Sequence, residues 1–290
     1  MFKKFTNACV NIVQKYLPDA FIFCIILTIL VFIVAMPVTG MNPIQVANSW
    51  GSKIWDLLGF SMQMALVLVL GTALATAPLV KRAINAAAGV PKTPSSAIVF
   101  ITVVSMIACW LNWGFGLVVG AILAKEIARK VKGVDYRLLI ASAYSGFVVW
   151  HAGFSGSIPL QLASYNDKIN EQTAGAITES IPTSQTILSV WNIIIVVAII
   201  VVIAFINSKM HPAPEDTVTV DPKLLADPEA VETKATTPAE KLENSPVLSL
   251  ITAILAIVYL IYNFASTGNF NLSLNIVNLI FLTLGIIFHG

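Results

Sequence analysis

Residues 109–120 read "CWLNWGFGLVVG", midway along a run of thirty residues, 95–124, that carries no charge. Length decides how such a run is read. At about 1.5 Å of rise per residue, a single helix of that size reaches about 45 Å, whereas the hydrocarbon core of a bilayer is about 30 Å thick. One helix is too long for a comfortable crossing, and each half, with about fifteen residues and about 22 Å of helix, is too short for its own. The midpoint carries Asn112, Trp113, Gly114 and Gly116, and the two glycines permit a tight reversal there.

The rest of the chain sets the context. It is 57% hydrophobic and 11% charged, far below the roughly 25% charged residues of soluble domains. The charges are clumped, leaving long runs without any, which is the signature of transmembrane helices. This is an all-α polytopic membrane protein. A net charge of +2 gives no reason to expect nucleic acid as a partner. Cys9, Cys24 and Cys109 are odd in number and widely spaced, so neither a disulfide framework nor a metal site is expected.

Phe2, Phe5, Cys9, Ile12, Val13 and Tyr16 recur at helical spacing among Lys3, Lys4 and Lys15, which predicts an amphipathic helix lying on the membrane surface. Spans follow at 17–36 and 56–80. A cleaved signal peptide is the rival reading of the first, but its apolar run exceeds the usual length of about 7–15 residues and no small-residue cleavage site follows. After 95–124 comes a cationic patch of Lys125, Arg129, Lys130, Lys132 and Arg137. A run at 138–163, interrupted by "HAGFSGSIP", leads through a polar segment, 164–185, into a span at 186–206. Residues 207–245 carry eight acids and four lysines among prolines and threonines, and read as a solvated cytoplasmic loop. Apolar segments at 246–264 and 272–289 end the sequence.

Charge then decides the path of 95–124, because cytoplasmic loops are enriched in Lys and Arg. With the N-terminus inside, a single crossing places seven of the seventeen Lys and Arg inside; a path that enters and returns places fifteen inside, with Lys53 and Lys168 outside. The return path is favoured. The expected form is a re-entrant helical hairpin, 95–124, entering from the cytoplasm with its tip near mid-membrane. Irregular backbone at that depth must be buried in protein or line a watery cavity.

The tip has suitable chemistry for a small anion. Asn112 offers an amide carbonyl and two N–H donors. The returning limb begins at the tip, and a helix N-terminus presents unpaired N–H groups and partial positive charge. The rival is a glycine-packed kink with Asn112 bonded to a neighbouring helix. A second interruption lies in "VVWHAGFSGSIPL", where Gly153, Gly156 and Pro159 disfavour a continuous helix midway through 138–163. Ser155 and Ser157 offer hydroxyls, and Pro159 suits the first turn of a restarted helix. A re-entrant tip and a broken transmembrane helix, both near the midplane, match how many secondary transporters build their sites; close packing through small residues is the alternative.

His151 is an ionisable side chain deep within an apolar run, which makes it a candidate proton relay or a neutral histidine bonded to a carbonyl. Asp19 and Asp56 open their spans and read as helix N-caps. Glu126 and Lys130 are spaced for a surface ion pair. Trp110, Trp113 and Trp150 are placed to line or pack the cavity, while Trp50 and Trp55 look interfacial.

Taken together, "YLPDAFIFCIILTILVF", "GFSMQMALVLVLGTALA", "NWGFGLVVGAILAKEIAR", "DYRLLIASAYSGF", "GFSGSIPL" and "DPKLL" resemble the bacterial short-chain fatty acid transporter family across essentially the whole sequence. That family is grouped with the ion-transporter superfamily. The resemblance implies two inverted repeats, each with a re-entrant hairpin and a broken helix, and in many relatives coupling to Na⁺. On that pattern 1–206 is the first repeat, with Asn112, Trp113, Gly114, Phe115 and Gly116 at its hairpin tip. Phe154, Ser155, Gly156, Ser157 and Pro159 would form its helix break. Residues 246–290 would begin a second repeat that is incomplete here, since the family's chains continue and this one reads as truncated after its N-terminal two-thirds. His151 is not part of the family pattern. Carriers of this scaffold are often dimers, so a homodimer is implied by analogy.

The leading expectation is a secondary carrier of short-chain monocarboxylates, such as butyrate or acetoacetate, in the bacterial inner membrane. Its site would hold the carboxylate at the tip and the apolar tail against Trp113, Phe115 or Phe154. No G-x-x-x-x-G-K-[ST] sequence offers a P-loop for ATP. No cofactor is expected beyond a coupling H⁺ or Na⁺. The alternatives are a carrier of dicarboxylates or inorganic anions, and a rhomboid-like serine hydrolase built on the "GFSG" of 153–156 with His151 as base.

Overall fold

Among the described residues, six helical stretches are long and apolar enough to cross a membrane: Ala20–Thr39, Leu58–Thr76, Pro94–Leu111, Tyr136–Leu162, Val190–Lys209 and Pro238–Ser266. The chain is a multi-pass membrane protein. The computed structural model describes residues 8–10, 12–13, 15–164, 167–221, 225, 237–243, 245–267 and 272–289, and every regular element among them is helical. Phe2 and Phe5 of the expected surface helix lie outside the described residues; Cys9, Ile12, Val13 and Tyr16 are helical and exposed. Two units are distinguished, Met1–Met62 and Gln63–Gly290.

In the first unit, α1 (Ala20–Thr39) starts at the expected cap. Asp19 accepts a hydrogen bond from the Phe21 N–H at 2.9 Å. The helix stops at Gly40, whose φ of 71° lies in the left-handed region that glycine enters without a Cβ penalty. Helix α2 (Pro43–Lys53) opens with a reciprocal capping box between Asn42 and Gln45. Asp56 does not cap the next helix. It sits in a turn, 3.7 Å from Lys53 Nζ, and α3 (Leu58–Thr76) begins after it.

In the second unit, α3 ends before Val80 because Pro78 opens a separate helix, α4 (Pro78–Ala87), and Ala77 before it is extended. The uncharged run folds as two helices of eighteen residues each, α5 (Pro94–Leu111) and α6 (Trp113–Lys130), separated by Asn112 alone. They run antiparallel, with Gly116 against Cys109 and Gly120 against Ser105. At about 1.5 Å per residue each limb is about 27 Å long, more than the fifteen-residue limbs expected, because the helices run on through Pro94 and Lys130. The interrupted run folds as α7 (Tyr136–Tyr144), a 3₁₀ helix (Ser145–Ala152) and α8 (Ser157–Leu162). Eight residues of 3₁₀ geometry are long for that tighter helix, and such stretches often mark strain or hinges.

Short α9 (Asp167–Gln172) precedes α10 (Val190–Lys209), which Ser189 caps. Then come α11 (Pro238–Glu243), α12 (Pro246–Thr267) and α13 (Leu274–His289). Ile98, Ile101, Leu123, Ile127 and Leu139 are fully buried where α5, α6 and α7 meet. Asn207 of α10 donates both amide hydrogens, to Thr102 Oγ1 at 3.2 Å and Ser145 Oγ at 3.1 Å. Polar bonds of this kind fasten helices where lipid supplies no hydrophobic drive between them.

Just beyond α10, the described residues 211–218 are bonded to the start of α7. Asp135 caps α7 and also accepts from Val218 N–H at 2.9 Å and Arg137 at 2.9 Å, while Tyr136 N–H donates to Val218 O. The Asp135 N–H donates to His211 Nε2 at 3.1 Å. That nitrogen must therefore be unprotonated, leaving Nδ1–H to donate to Pro212 O at 2.9 Å. Burial pushes the Asp135 carboxyl up, but the hydrogen bonds from Arg137, Val218 and Leu138 and the Arg137 charge outweigh it and hold the pKa below the ordinary 3.8. A depressed folded-state pKa stabilises fully above about pH 3.8 and loses that contribution as pH falls through the folded value. Asp135→Ala is expected to cost about 1–2 kcal/mol as a lost cap and to expose 211–221 to limited proteolysis at pH 7; the unsubstituted protein should show that cleavage only in acid below pH 3.8. Glu126 pairs with Arg129 rather than with Lys130, whose ammonium instead donates to Asn85. Positions three and four residues on are both neighbours of Glu126, and Lys130 is drawn off to Asn85 of α4.

Candidate functional site

Helix ends leave backbone groups without intrahelical partners, and the end of α5 and the start of α6 coincide at Asn112. Its backbone is extended (φ −158°, ψ 124°) and its side chain is fully buried. The Asn112 N–H donates to Ala108 O at 2.9 Å, its C=O accepts from Gly116 N–H at 2.8 Å, and its Oδ1 accepts from Phe115 N–H at 2.9 Å. One residue is thus both the C-cap of one limb and the N-cap of the other. The reversal is made here, not by Gly114 and Gly116, which are ordinary helical residues of α6.

Those glycines instead allow close approach. A Cβ on Gly114 would lie 2.7 Å from Leu68 Cα and 2.8 Å from Val67 O of α3, and one on Gly116 would lie 2.6 Å from Cys109 Cα. From the other side, a Cβ on Gly71 of α3 would lie 2.7 Å from Asn112 Oδ1. Gly71 was not among the residues expected at the site. Its signal was a glycine inside an apolar helix, which is common enough to pass unnoticed.

The two breaks meet. Phe154 N–H donates to Trp110 O at 2.8 Å, so a carbonyl at the end of α5 is satisfied by the second break. Trp113 N–H, at the first position of α6, donates to the buried Ser155 Oγ at 2.8 Å. Trp110 Nε1 donates to Ala152 O at 2.9 Å, and that carbonyl also accepts from Asn192 Nδ2 at 3.0 Å. A Cβ on Gly153 would overlap Trp110 O and lie 2.7 Å from the Trp110 carbonyl carbon. The Trp110 and Phe154 rings are edge-on at 4.8 Å. Trp113 meets Phe147 and Trp150 edge-on at 5.9 and 6.0 Å, and Phe115 meets Phe281 at 6.1 Å. Trp110, Trp113 and Trp150 were expected to line or pack the cavity, whereas Asn192 and Phe281 join the site through these contacts alone.

Two of the donors expected to greet an anion are therefore engaged by protein: Trp113 N–H by Ser155 and Phe115 N–H by Asn112. The expected Asn112 Nδ2 is not, nor is Trp113 Nε1, which was expected only to meet the apolar tail: both are buried with no hydrogen-bond partner among the described residues, a costly state that a buried acceptor would relieve. Ser157 and Pro159 lie further on in α8, with no hydrogen bond to the tip among the described residues. His151 is exposed at the end of the 3₁₀ helix. No hydrogen bond joins its ring to Ser155 among the described residues, so the nucleophile–base contact of a serine hydrolase is not formed. No three His, Cys, Asp or Glu side chains come together among the described residues. The polar groups of the site are neutral: amide, hydroxyl and indole.

Comparison with known proteins adds an independent line. The sequence pattern of the family described as "Short chain fatty acid transporter" matches residues 1–290. A "Putative short-chain fatty acid transporter" of Escherichia coli (strain K12) is 44% identical over 292 residues, covering all of this chain and 65% of that protein. One of the same name from Haemophilus influenzae (strain ATCC 51907 / DSM 11121 / KW20 / Rd) is 42% identical over 298 residues, covering all of this chain and 66% of its own length. The chain thus spans about two thirds of these curated relatives. No solved structure matches it.

Proposed function

The chain belongs to the short chain fatty acid transporter family, and from that premise we propose that the protein is a secondary carrier moving butyrate- or acetoacetate-type monocarboxylates across the bacterial cytoplasmic membrane. The observation that supports this most is the docking of the hairpin tip on the second break, with Asn112 Nδ2 and Trp113 Nε1 left as buried donors without acceptors among the described residues. Neutral donors can hold a carboxylate and release it, because no lysine or arginine grips it. Aromatic rings beside the tip give a short alkyl tail an apolar surface.

In this reading Asn112, Trp113, Gly114, Phe115 and Gly116 form one wall of the substrate site, and Phe154, Ser155 and Gly156 the other. The hairpin is re-entrant from the cytoplasm and the N-terminus is cytoplasmic, a placement supported by the distribution of Lys and Arg. Transport is coupled to H⁺ or Na⁺. Purified protein in proteoliposomes is expected to take up labelled butyrate saturably under an imposed ion gradient, with little competition from succinate. A membrane-impermeant label added outside should reach a cysteine placed at residue 175 but not one at 132. Absence of saturable uptake under every gradient overturns the reading.

A further inference from the structure

Beside the second break lies an open cavity of about 440 Å³ with apolar walls that include the exposed Ile158 as well as Leu162 and Ile187, and with Thr186, Asn192 and the exposed His151 as its polar lining. Its polar groups are spare. Neither ring nitrogen of His151 has a hydrogen-bond partner among the described residues, and the Thr186 hydroxyl is buried without one. Asn192 Nδ2 is spent on Ala152 O and Ile187 O, which leaves its Oδ1 as an acceptor. The cavity shares a wall with the tip. Ala152 lines it, and the Ala152 carbonyl is the one that Trp110, two residues before Asn112, holds at 2.9 Å.

This geometry points to a second site, in which the cavity binds a short-chain carboxylic acid in its protonated form and His151 receives the acid's proton. The inference rests on the carrier reading above and names a site that the tip does not include. The pairing is chemical. A carboxylic acid has one O–H to donate and one carbonyl to accept, and the cavity offers an imidazole nitrogen to accept and the Thr186 O–H to donate. An alkyl tail of a few carbons fits the isoleucine and leucine wall. The proton moves from the carboxyl oxygen to the imidazole nitrogen, leaving a carboxylate beside an imidazolium, with no other bond made or broken. No second titratable side chain lines the cavity among the described residues; the Trp150 ring, 3.7 Å from the His151 ring between centroids, is the aromatic neighbour. A free carboxylic acid is ionised at neutral pH, so a site that holds the acid form takes up a proton when it binds the anion there.

The test is calorimetric titration of the purified protein with butyrate at about pH 7.5, where a free carboxylic acid is ionised, in buffers of different ionisation enthalpy. The expected result is about one proton taken up per protein chain at saturation, falling to none in His151→Gln, with Thr186→Val weakening the proton-linked binding about fivefold, the usual size of one lost hydrogen bond. Because the His151 ring is exposed and makes no hydrogen bond among the described residues, its replacement should lower the melting temperature by no more than the loss of its contact with the Trp150 ring. Binding without proton uptake, or with an uptake that survives His151→Gln, overturns this site and leaves the carrier reading standing. If a lipid chain fills the cavity, both substitutions will leave affinity and proton count unaltered, which also overturns it. Absence of butyrate binding in every form overturns the carrier reading together with this one.

Discussion

Gly153→Ala is expected to cut butyrate uptake more than tenfold and to lower the melting temperature of the purified protein. The added methyl would overlap the Trp110 carbonyl oxygen and stand 2.7 Å from its carbon. Both atoms are backbone, so no side chain can swing aside. Relief requires the second break to move away from the hairpin tip, which lengthens the Phe154 N–H···O bond to Trp110 and the Trp113 N–H···Oγ bond to Ser155, each 2.8 Å. Overpacking of this kind costs about 1–3 kcal/mol, and about 1.4 kcal/mol already changes an equilibrium tenfold. Gly51→Ala is the control, since a Cβ there meets nothing within 4 Å. Normal uptake by Gly153→Ala would show that the contact between the two breaks is dispensable.

The second large effect separates Asn112 as a cap from Asn112 as a ligand. Asn112→Ala removes the acceptor for Phe115 N–H and is expected to destabilise the hairpin by about 1 kcal/mol. Asn112→Asp keeps an acceptor at that position, and its charge is favoured at a helix N-terminus, so the hairpin should persist. The aspartate, however, replaces the unpartnered Nδ2 donor with an oxygen that repels a substrate carboxylate. A hydrogen bond to a charged group is worth about 1.5–3 kcal/mol, so uptake should fall about a hundredfold in Asn112→Asp, further than in Asn112→Ala, although burial of the unpaired charge also lowers the melting temperature. Comparison of uptake with thermal melting for both variants decides the matter. If Asn112→Asp transports normally, the amide is a cap and nothing more.

Much of this architecture is written locally. Asp19 announces the start of α1, Pro78 and Pro94 open helices, and the absence of charge over 95–124 marks a membrane segment. "LNWGFG" and "HAGFSGSIP" each locate an interruption to within a few residues, because Asn, Gly and Pro act on the backbone where they stand. Partnerships across the fold were not legible in that way. Asp56 looked like a cap but lies in a turn beside Lys53, because helix α2 ends in a turn that pattern alone does not reveal. Glu126 had two cations within reach on its own helix, and geometry selected Arg129. The 3₁₀ stretch of Ser145–Ala152 has the same apolar composition as an α-helix.

The site divides along the same line. Sequence by itself determined that the chain crosses a membrane repeatedly, that two of its apolar runs are interrupted, and which residues stand at each interruption. Only the tertiary structure decided that the interruptions face one another, that Gly71 admits the tip, and that Trp110 and Trp113 spend their backbone groups on Phe154 and Ser155. The reason is physical. A residue's effect on its own backbone is set by its covalent chemistry, whereas the partner of an orphaned N–H or carbonyl at a helix end depends on which other segment is packed within about 3 Å of it.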